Sequence, residues 1–227
     1  MSRDALARAA RRPALRVAAF LAAGSLGLAG LAHSDPAPAF RPQPGDLVAG
    51  RGDAGATTFR FITPKGSVGF AALGAWPTVS MQPRPPVAMA VFQVPNAADE
   101  GTDASTNIAF GVFDLDDPNA RTARARVGQA YGPTPPKQET YGGWTIYRQV
   151  AAQGSTTYTI LDGVRDYPQI NAAVAVRLAW PHLAKNAASY DADMERLYRS
   201  LLDGVSAAPG AYTLGPREIV RRLVPKP

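Results

Sequence analysis

The chain has 227 residues, no cysteine and a formal net charge of +6, which excludes a disulfide framework, a thiol nucleophile and a lipid-modified N-terminal cysteine. Five arginines (Arg3, Arg8, Arg11, Arg12, Arg16) and one acid, Asp4, fall before residue 17, so without residues 1–34 the net charge drops to about +2 and the compositional case for nucleic-acid binding disappears.

Residues 1–34 read as a signal peptide. The basic stretch precedes an uncharged run, 17–32, that carries Gly24, Gly27 and Gly30 and ends in Ala32-His33-Ser34. Small residues at the last and third-last positions suit a signal peptidase, and the run is shorter than the roughly 20 apolar residues of a membrane span. Arg11-Arg12 resembles a twin-arginine signal, although Pro13-Ala14-Leu15-Arg16 fits that pattern loosely. The expectation is cleavage near Ser34, a periplasmic or secreted protein, and no membrane span in the mature chain.

Residues 35–56 are rich in Pro, Gly and Ala with no apolar period and read as an extended arm; Arg51-Gly52-Asp53 inside it reads as linker, not as an adhesion motif. One domain is expected over 57–205. Strands are predicted over 57–63 and 67–73, joined by Pro64-Lys65-Gly66, then over 87–94 and 106–115, the last two apolar on both faces. Asp116-Asp117-Pro118-Asn119 opens a helix in which Ala120, Ala123, Val127, Ala130 and Tyr131 recur at helical spacing until Gly132-Pro133,. Its other face carries Arg121, Arg124 and Arg126, which either contact an anionic partner or form a solvated face.

A second strand block starts near Glu139. Trp144, Ile146 and Val150 alternate with Thr145, Tyr147 and Gln149, and Gln153-Gly154-Ser155 turns the chain. In the clearest strand, 170–180, Val174, Val176, Leu178 and Trp180 share one face, and Ala173, Ala175, Arg177 and Ala179 share the other, where a helix could approach closely. Met194, Leu197, Tyr198, Leu201, Leu202 and Val205 form one helical stripe,, with Ser189 or Asp191 as N-cap and Gly204 as stop. Residues 206–227 read as a solvated basic tail with a helical turn over 216–223.

This order predicts an α+β domain: a largely antiparallel β-sheet covered by helices on both faces. The stretch from about Phe59 to Val205, with Ala75-Trp76-Pro77, the strand pair VAMAVFQV and TNIAFGVFDL, the helix PNARTARARVGQAY and the closing helix DADMERLYRSLLDGV, resembles the PsbP/Mog-like family. The resemblance implies an α/β/α sandwich and an accessory or binding role, with no shared catalytic set to carry over.

The residues point the same way. After signal removal one histidine remains, His182, in Trp180-Pro181-His182-Leu183; Lys65-Gly66-Ser67-Val68-Gly69 lacks the first glycine of a nucleophile elbow,; and there is no phosphate loop or dinucleotide fingerprint. Asp114, Asp116 and Asp117 fail a calcium-loop pattern at Pro118 and at the twelfth position, while Asp99, Glu100 and Asp103 read as a polar turn. No catalytic residue, cofactor or metal site is predicted. The expected function is an exported, non-catalytic envelope protein acting through protein–protein contacts, with Arg121, Arg124 and Arg126 as the binding candidates. The alternatives are a periplasmic immunity protein and a carboxylate-dependent envelope hydrolase.

Overall fold

The computed structural model describes residues 41–51, 57–71, 76, 78–82, 87–94, 104–184, 186 and 188–221; the predicted signal peptide, Gly52-Asp53 and the predicted polar turn at 99–103 lie outside them. Among the described residues no helix is long and apolar enough to cross a membrane.

The larger sheet has seven antiparallel strands. A meander of β4 (Thr78–Gln82), β5 (Val87–Val94) and β6 (Thr106–Asp114) comes first, followed by α1 (Pro118–Ala125). The chain then reaches the far edge and returns strand by strand through β7 (Lys137–Tyr141), β8 (Trp144–Gln153), β9 (Thr156–Tyr167) and β10 (Ala172–Pro181). β10 closes against β6, giving the order β4-β5-β6-β10-β9-β8-β7. Turn chemistry sets this path. Gly142 and Gly143, both with positive φ (54° and 83°), make the two-residue hairpin between β7 and β8,.

The smaller sheet joins distant parts of the chain. β1 (Leu47–Arg51), β2 (Thr57–Thr63) and β3 (Gly66–Ala71) form a meander; after α2 (Tyr190–Asp203), β11 (Ser206–Pro209) pairs with β3 and β12 (Glu218–Arg221) pairs with β1. Part of the expected arm and part of the expected basic tail are therefore sheet, and a strand occupies the place of the predicted turn at 216–223. Leu47 and Val48 are buried; two apolar residues among prolines and glycines are too short a run to announce a strand.

The core lies between layers. Phe59 and Phe70 of the small sheet meet Phe92 and Phe110 of the large one, with ring centroids 4.9 Å apart for Phe59–Phe92 and 4.6 Å for Phe70–Phe110. The same apolar cluster takes in Met194, Tyr198, Leu201 and Leu202 of α2 and Trp144, Val174, Val176 and Leu178 of β8 and β10, as the helical stripe and the strand alternation predict. Tyr198 fixes the helix to the sheet by donating its hydroxyl to the Val176 carbonyl at 2.8 Å. Asp191 is not the cap: it accepts from Trp180 Nε1 at 2.7 Å, and Ser189 is the N-cap without a side-chain bond. Leu201→Ala should lower stability by about 3 kcal/mol, whereas Arg199→Ala, at an exposed position, should cost about 0.5 kcal/mol; a denaturant titration of both variants checks this.

The expected α/β/α sandwich is thus corrected. Strands dominate and form two sheets, and the two helices among the described residues do not make layers. The double-sided apolarity of β5 and β6 was assigned to helices. A second sheet supplies the main cover instead, and short apolar strands look alike under either.

Candidate functional site

The outer face of the large sheet, opposite the aromatic core, is only partly covered by the described residues. α1 packs Ala120 on Phe113 and Ala173, so the alanine-rich face of β10 does accept a helix at that end. Asp117 starts this helix by accepting from the backbone N–H of Asn119 and Ala120 at 2.7 and 3.2 Å. It stops earlier than the spacing predicts, at Ala125. Gly128 takes φ 81° and lies so close to the Tyr147 ring that a Cβ there would stand 2.2 Å from it. The left-handed turn ends the helix, and the following residues cross the sheet as a loop.

Gln149 holds that loop down. Its amide oxygen accepts from the Tyr131 N–H at 3.0 Å and its nitrogen donates to the Gln129 carbonyl at 3.2 Å. This explains an inversion in β8: Gln149 is buried and Val150 is 62% exposed. The amide is satisfied by the loop backbone, so it can be covered without a lost hydrogen bond.

Tyr131 then reaches the centre of the sheet. Arg177 Nε donates to Asp162 Oδ1 at 2.6 Å and Nη2 to Oδ2 at 3.3 Å; Nη2 also contacts the Tyr131 hydroxyl, and the guanidinium carbon lies 5.1 Å from the centre of the Tyr131 ring. Arg177 and Asp162 face each other across the β10–β9 register. Asp162 is 2% exposed. Burial pushes its carboxyl from 3.8 up to about 7, with Gln149 opposing and the bidentate contact to Arg177 also favouring the ionised form. Burial likewise pulls the Arg177 guanidinium below its ordinary value.

Beside this group lies a cleft of about 520 Å³. Ala179 and Ile160 form its floor as cross-strand neighbours, Tyr131 and Arg177 stand at one end, Tyr158 and Ala151 at the other, and Ser105 and Asn107 along the side. Asp162 is not among its lining residues.

The arginines singled out in the sequence are only partly available. Arg121 Nη1 donates to the Leu115 carbonyl at 2.8 Å. Arg124 makes two bonds to Asp166, at 3.1 and 2.9 Å. Arg126 is exposed. The acids divide their work: Asp117 caps the helix, and Asp116 pairs with Lys65 at 2.6 Å and accepts from Asn171 Nδ2 at 2.7 Å, contacts that hold its carboxyl below the ordinary range. Among the described residues no group of three or more His, Asp or Glu stands together as a metal site.

One nucleophile–base contact is hidden from the sequence. Thr159 Oγ1 and His182 Nε2 are 2.6 Å apart. The hydroxyl is on a buried mid-strand residue, with no carboxylate bonded to the ring among the described residues, so the arrangement caps a buried hydroxyl and does not present a nucleophile. His182→Ala should therefore cost about 1–3 kcal/mol in a thermal melt.

Asp162, Gln149 and the role of Tyr131 escaped sequence reasoning because their partners are far apart in the chain. Arg177 gave a signal that was available: a single charge within an otherwise apolar, alanine-rich strand. No protein-family model matches the chain, and no match is found among curated proteins.

Proposed function

We propose that this is an exported, non-catalytic binding protein of the cell envelope, with the outer-face cleft as its binding site. The observation that carries this reading is a concave site with an alanine and isoleucine floor and one prearranged guanidinium, the pattern of pockets that hold a ligand by apolar contact and orient it by a few polar groups,. A hydrolase of the paired-carboxylate type is supported less well: Asp162, whose proton affinity is strongly raised, does not line the cleft, and no acid lines it among the described residues,. A protein–protein or immunity role through α1 rests on Arg126, since Arg121 and Arg124 are engaged within the molecule.

Native mass spectrometry of protein recovered from the envelope tests the reading. The expected result is a chain beginning after Ser34 or Ala32 that carries a bound species, released chemically unchanged and absent from Ala179→Phe. Turnover of the bound species, or a chain recovered intact from residue 1 in the membrane fraction, would overturn it.

A further inference from the structure

We propose that the cleft takes a small apolar monocarboxylate, with the carboxylate on the free Nη1 of Arg177 and a hydrocarbon or aromatic body laid over Ala179 and Ile160 toward Tyr158. The inference rests on the binding reading above and specifies its ligand.

Arg177 is built as a recognition group. A guanidinium has five N–H donors in a rigid fork. Nε and Nη2 are used on Asp162 and Tyr131, and Nη1 makes no bond among the described residues. The side chain is 42% exposed and lines the cleft, so the Nη1 amino group faces available space while the rest of the group is fixed by a buried carboxylate and an aromatic ring. Ordering an arginine is a large part of what binding an anion costs, and here it has been done in advance.

Charge and size select the ligand. Among the described residues the cleft is lined by no second cation and no acid. One free amino group suits a single carboxylate, held by a charge-assisted N–H···O bond from Nη1; a phosphate dianion calls for further donors. Tyr158 pairs with Pro181 and Arg177 with Asp162 in the β9–β10 register, so the two ends of the cleft lie four residues apart on β10, about 13 Å at the strand rise. A volume of about 520 Å³ fits a body of roughly ten heavy atoms with room to spare, within the usual range of ligand pockets.

Isothermal titration of the purified protein with 4-phenylbutyrate, its neutral amide and inorganic phosphate tests the assignment. The acid should bind saturably at one site, the amide at least about tenfold more weakly, and phosphate not at all over the same concentrations. Arg177→Lys should weaken the acid at least about tenfold. Should that variant fail to fold, Ala179→Phe keeps the test open: it fills the floor, leaves Arg177 and Asp162 in place, and should abolish binding with an unchanged melting temperature. Equal binding of acid and amide, binding of phosphate, or binding that survives Ala179→Phe overturns the proposal. If the acid fails to bind while the envelope protein still carries a species lost in Ala179→Phe, only the ligand class is wrong. Loss of both results removes the binding reading as well.

Discussion

Phe110→Ala should cost about 4 kcal/mol of stability, at the upper end of what a core truncation in this protein should lose. Phe110 is fully buried and is the ring at which the two sheets meet: its centroid lies 5.1 Å from Phe59 and 4.6 Å from Phe70 on the small sheet, and 6.0 Å from Phe92 on its own. Removing it opens a cavity that neither sheet can readily close, because each is fixed by its own hydrogen-bonded ladder and the surrounding rings lean on one another. Phe110→Leu, which keeps most of the volume, should lose about 1 kcal/mol. Denaturant midpoints with unchanged slopes would show the loss as one of stability. Equal costs for the two substitutions would mean that the rings do not bridge the sheets.

Arg177→Ala should cost about 3 kcal/mol at pH 8 and clearly less at pH 5. Asp162 is left buried without its cation, and breaking one side of a buried pair is expensive; the figure is at the low end because the guanidinium is partly in water. Lowering the pH lets the carboxyl take a proton, which removes the unpaired charge. In the native protein the sign of the dependence is fixed by the same group. The unfolded carboxyl releases its proton near 3.8 and the folded one near about 7, so between those values the folded state holds the extra proton. Stability therefore falls as pH rises through that window. Asp162→Asn should flatten this slope in chemical denaturation series at several pH values. A native slope of the opposite sign would show that Arg177 keeps Asp162 ionised throughout.

Periodicity carried the local structure and missed the pairings. The α2 stripe was legible because six apolar residues at helical spacing have one way to be buried together, and β10 was legible because its alternation runs from Ala173 to Trp180. What covers a strand leaves no mark in the strand itself, so β5 and β6 could not show that a sheet lies over them. β12 escaped for a related reason: four residues, Glu218 to Arg221, carry too little pattern to outweigh the charges around them. The early end of α1 required knowing that Tyr147 sits against Gly128, a contact made across the sheet. The candidate site has the same origin. Asp162, Gln149 and Arg177 occupy three different strands, and each looks ordinary in its own.

The position of β1 between β2 and β12 has a consequence for how the protein is made. Leu47 lies opposite Arg221, so the free edge of β1 is covered only by residues that follow α2 in the chain. Pairings of such long sequence separation carry a large loop-closure cost before they return any energy and slow the approach to the native state. During synthesis, β1 and β3 would present open ladders until residues 206–221 arrive. A chain interrupted after α2 would keep its aromatic rings and lose both outer strands of that sheet, leaving edges suited to pairing with another copy. The protein's most exposed moment is therefore the interval between the emergence of α2 and that of β12, when a holding chaperone would have the most to protect.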